Sequence, residues 1–405
     1  MYLSQGSEVN FCRLEDVPCV ESIAELASSI VASNSDMVRY THQPEETRSF
    51  RIRRVWDGSG ELIKPVNKKI VTESIDLLYC ENAVLAGDFG LFYGQNKVCI
   101  FPFYRGLETH LAPERFKKAK LLHERLNKSL IQATTSASGV VTTDIYTFRT
   151  IDEPVFLLEK PHGHAYSHFI WDTLSDLWWV EHLPKNVKVL VSNAIPSYQK
   201  DLLTSAGLSE ERIIWRNGRE HINLSKVYVP SFCAVNNRWI SADALDFLAR
   251  MRRPVTQLPK RLVFFDRGGD RSGVRCMVNE DVIWSICQEY GFERHTPASL
   301  SFAQKQEIFS ETAVMVGQFG GGIQTHFLMQ QNTSILCLHS DRFIRTIFDY
   351  TSSQLRQSVF SVIGTTLETL SGDPNNSNFM IDPDAFRVAL EQTLRCQNLK
   401  TISRE

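Results

Sequence analysis

No stretch of the 405 residues approaches the roughly 20 consecutive apolar residues that a membrane-spanning helix needs, so a spanning helix is not expected. Charge of one sign is scarce too. Lys and Arg number 44 against 46 Asp and Glu, a formal net charge of -2, and nothing in that balance points to DNA or RNA as the main partner. No two of the nine cysteines stand as CxxC, and their odd number argues against a closed disulfide framework. Met1–Val20 has neither the basic start nor the apolar run of a secretory signal and carries Glu8, Glu15 and Asp16 instead. The expected location is therefore a reducing cytoplasm. The GxGxxG and GxxxxGK[ST] patterns are missing, which removes support for NAD or NTPase chemistry. There is also no internal repeat at solenoid spacing.

What is present is an ordinary globular composition, 43% hydrophobic and 22% charged, enough for a sizeable core. Residues 1–110 read as an N-terminal extension, with short β-like runs broken by Gly87, Gly90 and Gly94 between Ile75 and Phe103. Pro113–Ile131 predicts a helix with one apolar face (Phe116, Ala119, Leu122, Leu126, Leu130) and a basic remainder, a pattern able to lie on an anionic membrane surface. From residue 154 strands and helices alternate, which predicts parallel α/β architecture over 111–240 and again over 241–378. Pro254 follows a predicted helix and marks an expected hinge. A last helix falls within 379–405, and Asp382-Pro383-Asp384 reads as its N-cap, a proline at N1 and a dipole-favoured carboxylate.

Three blocks can carry chemistry. In Pro161–Asp172, a helix beginning near Ala165 puts His168 and Asp172 four residues apart on one face, an imidazole beside a carboxylate. His164 and Tyr166 flank them. The loop Asp266–Arg275 follows the predicted strand Arg261–Phe265 and carries Arg267, Arg271 and Arg275, whose forked donors suit phosphate oxygens at the carboxyl end of a strand. Asn279 and Glu280 open the next helix. Finally Gly317-Gln318-Phe319-Gly320-Gly321-Gly322 follows the predicted strand Ala313–Val316 and opens a predicted helix, so that N–H groups at Gly320, Gly321 and Gly322 can meet an anion.

In this order and spacing the blocks resemble glycosyltransferase family 61. Its first block is represented by Tyr166, His168, Phe169, Asp172 and Leu174, its second by Arg267, Arg275, Asn279 and Glu280, and its glycine block by Gly317–Thr325, where Phe319, Gln324 and Thr325 depart from the family's His, Thr and Asn. The resemblance implies a GT-B-like α/β fold, two Rossmann-like domains facing a cleft with a small β-rich extension. It implies inverting, metal-independent transfer from a nucleotide-sugar donor to a glycan or lipid-linked glycan acceptor. The expected setting is bacterial capsule or exopolysaccharide synthesis, in the cytoplasm with a peripheral contact at the inner face of the membrane, and with no nucleic acid partner and no cofactor. Asp172 or His168 is then the catalytic base. Arg267, Arg275, Asn279, Glu280 and Gly320–Gly322 are on the donor, with Tyr166, His164 and Gln318 elsewhere in the cleft. Two alternatives stay open: a metal-dependent hydrolase built on His162, His164, His168 and Asp172, and a non-catalytic glycan- or nucleotide-binding relative.

Overall fold

The computed structural model describes residues 8–11, 17–33, 35–52, 55–57, 61–63, 66–72, 74–86, 90–94, 97–99, 131–133, 138–141, 146–147, 149–160, 163, 165–217, 220–235, 239–267, 275–368 and 377–398. The chain is a mixed α/β protein that divides into two compact units, 1–46 with 72–235 and 47–71 with 236–405. The basic helix expected over 113–131 lies outside the described residues except for Ile131, which opens a strand, Ile131–Ala133.

In the first unit the short strands Arg149–Ile151, Val155–Leu157, Lys188–Ser192 and Ile213–Arg216 run parallel to one another or to Ile222–Pro230. The apolar residues of Val155–Leu157 and Lys188–Ser192 are buried, as expected of strands covered on both faces, whereas Ile213, Ile214 and Trp215 on the edge strand are half-buried. Among these strands Val155–Leu157 lies between the later strands Lys188–Ser192 and Ile222–Pro230, so its carboxyl end is a point where the winding order reverses. The expected extension does not stand apart. Ile75–Ala86 is one 12-residue strand that pairs antiparallel with Ile222–Pro230 along its length and continues the sheet into Gly90–Tyr93 and Lys97–Cys99.

The second unit takes a different part of that N-terminal region. Val55–Trp56 pairs parallel with Ser358–Glu368, and the Trp56 ring stacks on Phe360 at 6.3 Å. The parallel strands here are Arg261–Phe265, Glu293–His295, Thr312–Gln318, Ser334–Ser340 and Ser358–Glu368. Taken in chain order as first to fifth, they lie second-first-third-fourth-fifth across the sheet, one of the two common doubly wound orders. Thr312–Gln318 and Ser334–Ser340 are buried at every residue. The helix Phe302–Glu311 starts at a capping box between Ser301 and Gln304. The closing helix Pro383–Arg395 is capped by Asp382, whose Oδ1 accepts the Ala385 N–H at 2.8 Å. It is part of this unit rather than a separate tail, because Phe386, Ala389, Leu390 and Leu394 pack into the core formed by Phe264, Val314 and Leu336.

Candidate functional site

In the first unit the chain leaves Val155–Leu157 at its carboxyl end and enters the segment Tyr166–Glu181. The expected α-helix is a composite. Tyr166–His168 is α, Phe169–Thr173 is a π turn and Leu174–Glu181 is 3-10. A π turn inserts an extra residue per turn and is frequent at functional sites; this one holds Asp172. His168 Nδ1 lies 2.6 Å from Asp172 Oδ2, with the His168 side chain 28% exposed and that of Asp172 1% exposed. The imidazole thus reaches the surface with the carboxylate behind it. Tyr166 packs against Tyr198 at 5.6 Å, while His162 and His164 lie outside the described residues. Among the described residues no three His, Cys, Asp or Glu side chains converge as metal ligands.

Beneath this segment is a buried polar cluster that sequence reasoning missed. Lys160 Nζ donates to the carbonyls of Pro230 (2.7 Å) and Ser231 (3.3 Å), and pairs with Asp176 Oδ2 at 3.1 Å. Lys160 sits just past Val155–Leu157 and Pro230 ends the neighbouring strand, so one ammonium ties two strand ends to the His168–Asp172 segment. The Cys233 thiol donates to Asp176 Oδ1 at 2.7 Å. Burial raises the Asp176 carboxyl, with Lys160 and the thiol pulling the other way; burial also pushes the Cys233 thiol up, so it stays a protonated donor. A signal was present in the sequence: Asp172 and Asp176 stand four residues apart as the charged positions of the stretch Phe169–Val180.

In the second unit the order reverses between Arg261–Phe265 and Thr312–Gln318, and two of the predicted blocks follow these strands directly. Arg267 Nη1 donates to the Arg275 carbonyl at 3.0 Å, and Gln318 Nε2 donates to the same oxygen. That carbonyl, held at an Arg275 φ of 57°, joins the arginine loop to the glycine block. The Arg275 and Arg345 guanidinium groups lie over the Phe343 ring at 4.6 and 4.1 Å. The intervening loop, 268–274 with Arg271, lies outside the described residues.

The other predicted residues divide. Asn279 occupies the N-cap position of its helix, but its side chain makes no capping bond. Its Nδ2–H donates to the Ile381 carbonyl (2.7 Å) and its Oδ1 accepts the Ile381 N–H (3.2 Å), so both ends of the amide tether the last strand region. Glu280 Oε1 accepts from Arg294, which also donates to Asp266 Oδ2 at 2.7 Å. Burial raises the Glu280 carboxyl; Arg294 opposes this and Asp266 adds to it. Arg294 was absent from the sequence reading because it lies on the neighbouring strand, Glu293–His295, and meets Asp266 and Glu280 only through the fold.

The glycine block opens a six-residue 3-10 turn, Ile323–Leu328, rather than the expected longer helix. Its glycines serve different needs. A Cβ on Gly322 would lie 2.8 Å from Pro297 Cγ and one on Gly317 would lie 2.7 Å from Ile323 Cγ2, whereas one on Gly320 would meet nothing nearer than the Gln318 carbonyl at 3.9 Å. The departures from the family pattern are interior residues. Phe319, 4% exposed, stacks on His339 at 5.3 Å, and Gln324 and Thr325 are buried.

The predicted blocks thus lie next to the carboxyl ends of strands in a mixed α/β protein. The family model described as Glycosyltransferase 61 matches residues 166–336, from Tyr166 beside the His–Asp pair to Leu336 in the sheet of the second unit. The match bears out the resemblance and supports assignment to glycosyltransferase family 61; the protein is a glycosyltransferase. No curated protein sequence matches the chain. Among solved structures, the bacterial iron-containing dodecameric glycosyltransferase TibC from enterotoxigenic E. coli H10407 is 9% identical, with 80% of each chain covered and a TM-score of 0.26, a likeness that carries no argument.

Proposed function

We propose that the enzyme moves a sugar from a nucleotide-sugar donor to a glycan or lipid-linked glycan acceptor with inversion and without a metal. The observation that carries the donor part is the shared Arg275 carbonyl. It draws Arg267 and Gln318 together between the two strands where the sheet order reverses, the position at which open α/β sheets take ligands. On this reading Arg267, Arg275 and the N–H groups of Gly320–Gly322 hold the diphosphate, Gln318 fixes their frame and Glu280 orients Arg294 at the rim. His168 Nε2 takes the proton of the acceptor hydroxyl as its oxygen bonds to the anomeric carbon. The bond from that carbon to the diphosphate breaks, and the leaving group departs into the arginine and N–H donors. Asp172 holds the imidazole. The GT-B-like description, the capsule or exopolysaccharide setting and a cytoplasmic location with a peripheral membrane contact belong to the same proposal. Among the described residues no helix is long and apolar enough to cross a membrane.

Melting curves with UDP, GDP, CMP and ADP, each with and without EDTA, test the donor part. One nucleotide should raise the midpoint by mass action whether or not EDTA is present, and Arg267→Ala should lose most of that rise with its own unliganded midpoint little changed. A rise that disappears with EDTA would overturn the metal-independent reading, and an Arg267→Ala response equal to that of the wild type would remove the phosphate role.

The glycines give a paired prediction. Gly322→Ala pushes a methyl group into the Pro297 ring and should cost about 1–3 kcal/mol in urea unfolding. Gly320→Ala meets only the Gln318 carbonyl at an ordinary 3.9 Å and should unfold like the wild type, yet bind the nucleotide more weakly, because the added methyl takes room that the diphosphate needs. Equal nucleotide affinity in Gly320→Ala and wild type would place the phosphates elsewhere.

A further inference from the structure

The motif blocks of the second unit occupy the carboxyl ends of its strands. At the amino ends of Ser334–Ser340 and Ser358–Glu368 there is a cavity of about 370 Å³ lined by Asn332, Asp349, Ser352, Ser353, Arg356 and Gln357, among others. Its volume falls within the roughly 300–1,000 Å³ of small-molecule sites, and its lining is mostly polar. Two of its side chains are built in yet incompletely bonded. Ser352 is 1% exposed, and its Oγ makes no hydrogen bond among the described residues. Gln357 is 7% exposed. Its Nε2 donates to the His326 and Met329 carbonyls at 3.1 and 3.2 Å, which fixes the amide, and its buried Oε1 accepts nothing among the described residues. Protein interiors normally satisfy such atoms, and one left open costs stability unless a ligand completes it. Burial pushes the Asp349 carboxyl up to about 7. At the rim the exposed residues Asn332 and Arg356 both have left-handed backbones, φ 61° and 55°, and are joined by the Asn332 N–H donating to the Arg356 carbonyl at 2.8 Å.

We propose that this cavity binds a saccharide, holding one sugar unit of a glycan at the end of the sheet remote from the Arg267–Gln318 blocks. Each sugar hydroxyl both donates and accepts. That dual capacity suits a lining with an open amide oxygen, an open hydroxyl and a carboxyl inside, and a guanidinium and an amide at the rim. An apolar ligand would leave the Gln357 Oε1 open, and an inorganic anion would meet the Asp349 carboxyl. Holding part of a glycan here would raise the effective concentration of the rest of it at the enzyme, and the site stands whether or not the donor reading does.

Saturation-transfer NMR on the full chain with glucose, galactose, xylose and glucosamine, each with and without saturating UDP or GDP, tests the proposal. At least one neutral sugar should give a signal that persists with nucleotide present. Ser353→Trp, which adds bulk at an exposed lining position, should weaken that signal by about fivefold or more, the scale of a lost buried hydrogen bond. Ser352→Ala should also weaken it, with a melting midpoint equal to or above that of the wild type because a buried open hydroxyl has been removed; it decides the matter if the tryptophan variant fails to fold. The proposal is overturned by silence from every neutral sugar, by a signal from glucosamine alone, by displacement with nucleotide, or by a signal untouched in both variants.

Discussion

Asp172→Asn should lower the rate of sugar transfer roughly 10²–10⁴-fold, and His168→Ala should lower it by a similar factor. Asp172 is 1% exposed and its Oδ2 lies 2.6 Å from His168 Nδ1, so on the proposed reading Oδ2 accepts the Nδ1 proton and selects the tautomer whose lone pair is on Nε2. An amide at 172 can instead turn its NH₂ toward Nδ1 and select the opposite tautomer, placing a proton where the base needs a lone pair. Size and polarity are nearly conserved, so the melting midpoint should move little while kcat collapses. The double variant should be scarcely worse than either single one, because the two groups act as a unit. Rates for the four chains, measured with the nucleotide identified by the melting panel, would settle this. Near-normal kcat in Asp172→Asn, or fully additive losses in the double variant, would mean that the pair does not act as base and orienter.

The parts of the fold that were legible in the sequence are those decided locally. Arg261–Phe265 has the bounds its apolar run predicts, and the cap at Asp382 follows from its own tetrapeptide. The helices ending before Gly207 and Gly291 stop where those residues take φ values of 87° and 80°. Long-range pairing was not legible. Ile75–Ala86 reads as two short runs, Ile75–Cys80 and Ala83–Leu85, because Glu81-Asn82 interrupts the apolar pattern, and its ladder with Ile222–Pro230 carries it through Asn82 at φ 53° as one strand. Nor does Val55-Trp56 announce that its partner is Ser361-Val362, some 300 residues away. The site shows the same division. Spacing alone placed His168 beside Asp172, whereas Lys160, Asp176 and Cys233 meet only after three separate segments have folded. A π turn at 169–173 is likewise beyond a reading based on 3.6-residue periodicity.

That cluster sets the second large expectation, a loss of roughly 3–5 kcal/mol in Lys160→Met near neutral pH. The substitution keeps most of the volume and removes the ammonium, leaving the Asp176 carboxyl buried with the Cys233 thiol and without its cation. The Pro230 and Ser231 carbonyls lose their donor as well. Burial already holds Asp176 above the ordinary carboxylate range, and removing Lys160 takes away an influence that lowers it, so its folded pKa rises further. The unfolded chain ionises at the ordinary value. The folded variant therefore binds more protons than the unfolded chain between the two pKa values, and its stability falls as pH climbs through that window. Urea unfolding at about pH 5 and about pH 8 should accordingly show a smaller deficit at the lower pH and a larger one at the higher. Adding Asp176→Leu should recover much of the loss, since an apolar pair of similar size removes the stranded charge. Transfer activity should fall in Lys160→Met even where the chain is folded, because Lys160 ties the ends of two strands to the segment that carries His168 and Asp172. A variant as stable as the wild type at the higher pH would show that water or rearranged side chains replace the ammonium, and the pair would then have no part in holding that segment.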